Sequence, residues 1–251
     1  MKKADFYSFL KDAEQIAYGS NRKRTFLFKG IISLLIIEMF FIGAFPMTVI
    51  AGNLPEMSGG YKHGMTVNGQ TLTIDASAGN RFVWDHGFNI GADYSVRFEG
   101  IKTAINKDTS GNLSSILGSL YSDGAVYLLN PNGILFGAGS KVNVRGLVAA
   151  AVGDVEESPD GLIFSKLGTG TVINEGNISA GDFAYLVGSS VKNSGAIQAS
   201  EIALAAYGNK GADSVIIASH ENGAVITFNL SDSNDSSPIV IVTGLRTLSL
   251  L

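Results

Sequence analysis

The sequence predicts an all-β protein built as a parallel β-helix, a solenoid whose successive coils pair their strands. Three observations predict this fold. Gly accounts for 31 of 251 residues and charged residues for only 16%, which favours short strands and turns over helices with Glu- and Lys-rich surfaces. Short apolar runs alternate with Gly and Asn turns along most of the chain. A turn pattern also recurs after about twenty residues, which is typical of a solenoid.

The first fifty residues predict a secretory signal peptide. A basic segment ends in Asn21-Arg22-Lys23-Arg24, and an apolar run follows over 31–45. Ala51 occupies the last place before a small-residue cleavage site, and Gly52 follows it. The alternative is a membrane anchor, but the run is shorter than the roughly twenty residues that a spanning helix needs. We therefore expect a signal peptide with an extended basic region over 1–51, cleaved between Ala51 and Gly52.

The rest of the chain, 52–251, predicts one acidic domain. Beyond residue 51 there are eleven Lys or Arg against eighteen Asp or Glu, so no basic stripe is available to neutralise nucleic-acid phosphates. The chain has no Cys, which excludes a disulfide framework in a secreted protein. The core must therefore supply the stability, and we expect no nucleic-acid partner.

The first strands predict a hairpin and then single short strands. Asn68-Gly69 lies between two apolar runs over 65–74 and favours the tight turn of a β-hairpin. Further strands are expected over 81–84 and 94–98. One short helix is predicted near 112–120, because Leu113 and three later apolar residues recur at helical spacing.

Residues 130–136, Asn-Pro-Asn-Gly-Ile-Leu-Phe, form the central motif of the chain. Asn130, Pro131, Asn132 and Gly133 fit the four positions of a type I turn between two apolar strands, and Ile134 begins the second strand. None of these side chains is nucleophilic, acidic or metal-binding. The motif therefore predicts an architectural role.

The second half of the chain predicts a loop and then a repeat. Residues 153–170 lose the strand pattern and are expected to form an excursion loop, and the small residues just before it, 149–151, suit a narrow solenoid interior. Asn174-Glu175-Gly176 is repeated nineteen residues later as Asn193-Ser194-Gly195. We expect these positions to be turns, with Asn174 and Asn193 stacked as an inward ladder. The turn at Asn130 shares the same pattern.

The end of the chain predicts no polar cap, so we expect either that the natural protein continues beyond Leu251 or that the gene is truncated.

Catalytic motifs are missing from the sequence. The three histidines are far apart, and no nucleophile elbow, phosphate loop or metal-ligand spacing occurs. Asp85-His86 is the nearest approach to a polar constellation. A polysaccharide-cleaving β-helix gathers carboxylates on one groove, and Asp154, Glu156, Glu157 and Asp160 are clustered, but they lie in a stretch that has the character of a solvated loop. We expect no enzyme activity, no cofactor and no metal site.

Residues 68–209 resemble the N-terminal secretion domain of filamentous-haemagglutinin-type exoproteins of bacterial two-partner secretion. The segments that carry the resemblance are 68–74, 88–91, 116–118, the central stretch 126–149 with Asn-Pro-Asn-Gly-Ile-Leu-Phe-Gly, 172–176 and 194–197. The chain departs from the family in having one Asn-Pro-Asn motif where some members have two. It also lacks the long adhesive repeats or toxin region that usually follow this domain.

The resemblance implies a right-handed parallel β-helix with an N-terminal cap and small extra-helical strands. It implies export by the Sec machinery and recognition by the periplasmic domains of a dedicated outer-membrane β-barrel transporter. The protein would then be secreted or held at the surface of a Gram-negative bacterium, as part of an adhesin with a host-cell or surface ligand. Two alternatives stay open, a β-helical polysaccharide-active enzyme and a truncated fragment without an export role.

Overall fold

The computed structural model describes residues 54–62, 64–77, 79–100, 102–159, 161–208, 212–220, 223–230, 240–243 and 247–249, within a compact unit that spans Ala51–Leu251. The predicted signal peptide and its cleavage site at Ala51 and Gly52 lie outside the described residues.

The described residues form strands and no helix. In chain order the strands are β1 (Met65–Asn68), β2 (Thr71–Asp75), β3 (Arg81–Trp84), β4 (Ser95–Glu99), β5 (Thr103–Asp108), β6 (Ser114–Ile116), β7 (Ser119–Ser122), β8 (Ala125–Leu129), β9 (Gly133–Phe136), β10 (Lys141–Ala150), β11 (Val152–Ser158), β12 (Gly161–Leu167), β13 (Thr171–Asn174), β14 (Asn177–Gly188), β15 (Ser190–Asn193), β16 (Ala196–Gln198), β17 (Glu201–Ala206), β18 (Ala212–His220), β19 (Gly223–Leu230), β20 (Val240–Thr243) and β21 (Thr247–Ser249).

The strands wind into a parallel β-solenoid with three faces, as the sequence predicts. The first face is β2, β4, β7, the beginnings of β10 and β14, and β16. The second is β3, β5, β8, the ends of β10 and β14, and β17. The third is β6, β9, β13 and β15. A register shift after Val144 marks the corner at which β10 passes from the first face to the second.

Rows of inward-facing apolar side chains, one from each coil, fill the solenoid interior. On the first face Leu72, Val96, Leu120, Val142, Ile178 and Ile197 pair in register from coil to coil and are all buried. Each coil therefore buries one apolar side chain against the side chain at the equivalent position in the neighbouring coils. A single coil would leave that side chain in water, so the stability of each coil depends on the next.

A second apolar core lies outside the solenoid. β11, β12, β18 and β19 form an antiparallel sheet. Its Val155, Phe164 and Val215 pack with Tyr127 and Val148 on the outer surface of the second face. This surface is consequently covered, and β8 is buried along its whole length.

The small residues 149–151 serve both cores. Ala149 and Ala151 belong to the solenoid interior, whereas Ala150 belongs to the outer core. The expectation that the whole run lines the interior is therefore only half right, because side chains alternate across a strand.

The segment 153–170 was expected to be an irregular loop, but it is mostly regular. β11 and β12 form an antiparallel hairpin that leaves the solenoid between β10 and β14, and β12 continues the sheet by pairing with β18. Its acidic residues suggested a solvated loop. Of these, Asp154, Glu156 and Glu157 lie on β11.

The helix predicted near 112–120 is wrong, because these residues form β6 and β7. Ile116 pairs with Phe136, and Leu120 pairs with Val96 and Val142. The corner between the two strands is Gly118, where an added Cβ would lie 2.1 Å from the carbonyl oxygen of Tyr94. The helical spacing arises because a corner separates two inward-facing residues, and pairing with neighbouring coils outweighs local propensity.

Both ends of the first face carry antiparallel strands. β1 pairs with β2 through the predicted hairpin at Asn68, while Leu54 and Met57 join the interior core beside it. At the other end β21 pairs with β16, and β20 pairs with β17 on the second face. The sequence predicted no cover for the last coil, yet two of its three edges are paired by these strands.

Candidate functional site

The central motif is a closed β-turn between β8 and β9. The backbone N–H of Gly133 donates to the carbonyl oxygen of Asn130 at 2.9 Å. The Asn130 side-chain oxygen accepts a second hydrogen bond, from the Asn132 backbone N–H at 2.9 Å. An Asn side chain that bonds the backbone two residues ahead stabilises a turn locally. The turn is thus the one predicted from the residue types.

Gly133 is required by the neighbouring coil. Its φ is +108°, a conformation that side chains with a Cβ rarely adopt, and an added Cβ would lie 2.5 Å from the carbonyl oxygen of Thr171. Thr171 is its partner in β13. The glycine lets two successive coils approach at this corner.

Asn130 also connects three successive coils. Its side-chain amide donates to the carbonyl oxygen of Asn112 at 2.7 Å and to the Ser114 hydroxyl at 2.8 Å, both in the preceding coil. Its backbone N–H donates to the carbonyl oxygen of Ala150 in the following coil at 3.0 Å. The side chain of Asn130 therefore closes its own turn and ties it to the preceding coil, and the backbone N–H ties it to the following one.

A buried polar network continues from Asn130 toward the N-terminal end. The Ser114 hydroxyl donates to the Asp108 carboxylate at 2.6 Å, and that carboxylate also accepts from the Phe88 backbone N–H at 2.8 Å. Ser110 supplies two more donors to it, from its backbone N–H and its hydroxyl. Asp108 is only 2% exposed, so these hydrogen bonds replace the water that a carboxylate needs.

Asp108 and Ser114 were missed at the sequence level. Polar residues at strand ends are common, and nothing in the spacing of these two points to Asn130. Their connection to Asn130 arises only when the coils stack, because 22 residues separate Asp108 from Asn130 along the chain.

Exposure divides the motif into an inner and an outer part. Asn130 is 1% exposed and Ile134 is fully buried, whereas Asn132 is exposed and Pro131 is partly exposed. In the folded domain another protein can contact the tip of the turn but cannot reach the Asn130 side chain.

The repeated turns form a second polar site, on the third face. Asn174 and Asn193 pair in register, and the Asn174 side-chain amide donates to the Asn193 side-chain oxygen at 2.7 Å. Asn174 is fully buried and in register with Phe136 of the preceding coil. The amide thus takes an inward place that an apolar residue occupies one coil earlier.

The glycines of these turns are in close contact with neighbouring coils. A Cβ on Gly176 would lie 2.0 Å from the Ser140 hydroxyl, and one on Gly195 would lie 2.1 Å from the carbonyl oxygen of Gly176. The backbone N–H of Gly176 also donates to the Asn174 side-chain oxygen at 3.2 Å. These corners therefore stack glycine on glycine.

The Asn130 turn is not part of this repeat. Thr171 pairs with Gly133 and Asn174 with Phe136, so Asn130 has no counterpart at Asn174. The similarity between the two turn sequences is coincidental, because they lie at different corners.

The residues considered for chemistry lie apart. The Ser58 backbone N–H donates to Asp85 at 2.7 Å, and hydrogen bonds from Ser58 hold the pKa of the Asp85 carboxyl below its usual range. Asp154 forms an ion pair with Lys166 at 2.9 Å, which lowers the pKa of that carboxyl. Glu157 lies on the opposite side of β11, facing the solenoid with Val155. Asp160 is outside the described residues.

In the described part of the chain, no group of His, Asp and Glu side chains is arranged to hold a metal ion. Within the same residues, no helix has the length and apolarity needed to cross a membrane.

Comparison with known proteins identifies the family. A family model described as the TPS secretion domain, where TPS denotes two-partner secretion, matches residues 51–239. The chain belongs to this family. The match covers the solenoid from before β1 to beyond the antiparallel sheet of β11, β12, β18 and β19. The domain is therefore the secretion domain of a two-partner-secretion exoprotein.

Individual relatives agree with the family. The chain is similar to a heme/hemopexin-binding protein of Haemophilus influenzae, with 34% identity over 224 residues, which is 82% of this chain and 23% of that protein. A second heme/hemopexin-binding protein of Haemophilus influenzae matches with 36% identity over 101 residues, 35% of this chain and 11% of that protein. The chain therefore spans about a quarter or less of the length of these relatives.

The fold also matches a solved TPS domain. The crystal structure of the HMW1 secretion domain from Haemophilus influenzae superposes with a TM-score of 0.52 and 27% identity, covering 67% of this chain and 46% of that chain. These relatives are named as secretion-domain or heme/hemopexin-binding proteins, and none is named as a polysaccharide enzyme. The resemblance found in the sequence is confirmed.

Proposed function

We propose that this TPS secretion domain is exported by Sec and then recognised by the periplasmic domains of a dedicated outer-membrane β-barrel transporter. In this proposal the chain crosses the outer membrane unfolded, and the Asn130–Gly133 turn acts in folding the solenoid on the outside. The exported chain is then a secreted or surface-bound protein of a Gram-negative bacterium.

The observation that carries the folding role is the burial of Asn130. A side chain that is 1% exposed and bonded to Asn112 and Ser114 is not available to a receptor once the domain has folded. Either the motif acts through folding, or it is read before folding. Both require that the chain reach the transporter unfolded, and both make Asn130 more important than the exposed Asn132.

The stacked coils supply a physical reason for one-way export. Each coil buries its apolar residues only against a coil that is already folded, and the rows of the first face run from Leu72 to Ile197 in chain order. A coil that emerges and folds outside cannot return through a pore that passes only unfolded chain. Folding would then drive transfer without nucleotide hydrolysis.

We propose a non-enzymatic role for this domain. Asp154 is paired with Lys166, and Glu157 lies on the other face of β11, so this acidic pair does not converge on one groove. The domain would serve the export of a larger surface protein, expected to be an adhesin. The relatives named for heme/hemopexin binding are at least four times longer than the matched segment, so the ligand of the whole protein stays a separate question.

The test removes the transporter. In a strain that lacks the partner transporter gene, we expect the protein to disappear from the medium and the cell surface and to be retained or degraded in the periplasm. Restoring the gene on a plasmid should restore export, and a Sec-dependent periplasmic protein should be unaffected throughout. Undiminished appearance outside the deletion strain would overturn the proposal.

The exported material also tests the signal peptide. N-terminal sequencing of the protein from the medium should begin at Gly52 if cleavage follows Ala51. A mature protein that retains the basic segment 21–24 would contradict the predicted cleavage site while leaving the transporter question open to the deletion experiment.

A further inference from the structure

A groove of about 710 Å³ lies on the outside of the solenoid, at the corner between the first and second faces. We call it the corner groove and define it by Asn143, Ser179, Gly181, Gln198 and Ser200. It crosses the three successive coils that contain β10, β14 and β16. Its volume is within the range of small-ligand sites. The proposed export role does not use it, since the central turn lies between β8 and β9.

A row of neutral polar side chains lines the groove. Asn143 is in register with Ser179, and Ser179 is in register with Gln198, so the row takes one side chain from each coil. Neighbouring strands lie about 4.8 Å apart, which places the two ends of the row about 10 Å from each other. All three side chains are exposed, and none of them forms a hydrogen bond within the described part of the chain. The row therefore offers amide and hydroxyl groups, which both donate and accept, to a ligand.

Small residues keep the groove open beside this row. Ala180 and Ala199 also line it and are 6% and 5% exposed, so they lie at its base. A Cβ added to Gly181 would have the carbonyl oxygen of Arg145 as its nearest non-adjacent neighbour, at 3.5 Å. The Ser200 hydroxyl donates to the Gly181 carbonyl oxygen at 2.8 Å, which ties the corners of two coils together. The base of the groove is therefore shallow in side chains and fixed in position.

The lining of the groove is uncharged among the described residues. Arg145 and Asp182, which follow the lining residues Val144 and Gly181 in sequence, pair with each other at 2.8 Å. An anion would therefore find no cation in the lining, and a basic group would find no carboxylate. A purely apolar ligand would displace water from the amides and hydroxyls without replacing its hydrogen bonds, which costs free energy. The lining is complementary to a neutral ligand with many hydroxyl or amide groups.

An added polypeptide strand does not fit this position. β10 pairs with β7 and β14, β14 pairs with β10 and β16, and β16 pairs with β14 and β21. Both edges of every strand that lines the groove are thus occupied. Recognition by β-augmentation needs a free edge, because its affinity comes from backbone hydrogen bonds. The groove instead lies on the face of the sheet, where side chains supply the contacts.

We propose that the corner groove binds a neutral oligosaccharide that lies along the solenoid axis. Sugar hydroxyls both donate and accept hydrogen bonds, as the side chains of Asn143, Ser179 and Gln198 do. The row is long enough to contact two or three sugar rings. Its members come from three coils, so the site exists only in the folded domain, after export. The proposal does not depend on the export route, and each can fail without the other.

The test is a titration of the purified, folded protein followed by ¹H–¹⁵N correlation NMR, which detects Asn and Gln side-chain amides. The probes are linear neutral tetrasaccharides of glucose, mannose, galactose and N-acetylglucosamine. The controls are an anionic heparin tetrasaccharide and a blocked tetraglycine peptide. We expect at least one neutral tetrasaccharide to shift the side-chain amide resonances of Asn143 and Gln198 saturably at millimolar concentration. Neither control should do so.

Matched variants separate the groove from the rest of the face. Asn143→Ala and Gln198→Ala should each weaken binding of that sugar about threefold to tenfold, the effect of one neutral hydrogen bond. Asn177→Ala, the same change at an exposed position of β14 outside the lining, should leave binding unchanged. Ser179→Trp should abolish binding by filling the groove, and the backbone resonances of each variant report whether it is folded.

Three results would overturn the proposal. The first is the lack of a saturable shift with all four neutral sugars. The second is equal binding by Asn143→Ala, Asn177→Ala and the parent protein, which would place the sugar elsewhere. The third is binding of the tetraglycine peptide as tight as that of the best sugar, which would assign the groove to a polypeptide.

Discussion

The side-chain amide of Asn130 donates a 2.8 Å hydrogen bond to the hydroxyl of Ser114, one coil earlier on the solenoid. Ser114 in turn donates to the buried Asp108 carboxylate. The central turn is thus connected through side chains to the N-terminal coils, and its effect on stability extends beyond four residues.

Asn130→Ala should destabilise the domain far more than Asn132→Ala. The first change removes both side-chain donors and the acceptor that closes the turn, and it leaves the carbonyl oxygen of Asn112 without this donor. We expect a loss of about 3 kcal/mol in the free energy of unfolding, measured by urea denaturation. Asn132→Ala is the matched control and should cost less than about 1 kcal/mol, because its side chain is exposed.

The same pair of variants tests the proposed role in export. If Asn130 acts through folding, Asn130→Ala should lower the amount of folded protein outside the cell, and Asn132→Ala should not. Export that falls in Asn132→Ala and not in Asn130→Ala would show that the motif works through its exposed tip.

Gly176→Ala and Gly195→Ala should each destabilise the solenoid strongly. A methyl on Gly176 would meet the Ser140 hydroxyl at 2.0 Å and the carbonyl oxygen of Gly137 at 2.6 Å, and one on Gly195 would meet the carbonyl oxygen of Gly176 at 2.1 Å. Backbone atoms cannot move aside without separating two coils, so we expect a loss of about 3 kcal/mol or more in thermal or urea unfolding.

Gly181→Ala provides the control for both. It lies in the coil between the two turns, and its nearest neighbour to an added Cβ would be the Arg145 carbonyl oxygen at 3.5 Å, an ordinary contact. Its cost should stay below about 1 kcal/mol. A similar cost in all three variants would mean that glycine acts through backbone flexibility and not through coil spacing.

Several of these features were predictable from sequence, and the reasons differ by residue. The Asn130 turn and the Asn68 hairpin follow from local turn chemistry, which the residue types fix. The Asn174–Asn193 pair follows from a period of nineteen residues. The helix predicted from Leu113 to Leu120 is wrong because apolar residues on either side of a corner recur at the same spacing as those on one face of a helix. Asp108 gave no signal, because its Phe88 partner lies in the preceding coil and the Asn130 turn that its network supports lies in the following one.

Gly146 and Phe183 should show strong coupling. Gly146→Ala places a methyl about where the Phe183 ring lies, at 2.6 Å, and we expect it to cost about 2–3 kcal/mol. Phe183→Leu alone should cost about 1 kcal/mol through lost contact with Tyr185. The double variant should be more stable than the sum of the two losses implies, by about 1–2 kcal/mol, in a double-mutant cycle from urea unfolding. Additive losses would show that the ring does not rest on Gly146.

The pKa of Tyr127 predicts how stability changes in alkali. Burial, and then the charge of Glu157, raise the pKa of this hydroxyl from 10.0 to about 12 in the folded domain. Between pH 10 and 12 the unfolded chain therefore loses the Tyr127 proton while the folded domain keeps it. Stability that is fully present below pH 10 should fall as the pH rises toward 12.

Tyr127→Phe removes the ionising group and should flatten this part of the profile. Measured by urea unfolding at pH 9, 10 and 11, the variant should lose less stability over the range than the parent protein. Tyr121→Phe, on the uncovered first face, is the control and should keep the parental slope. If Tyr127→Phe and the parent fall in parallel, ionisation of other groups governs alkaline unfolding.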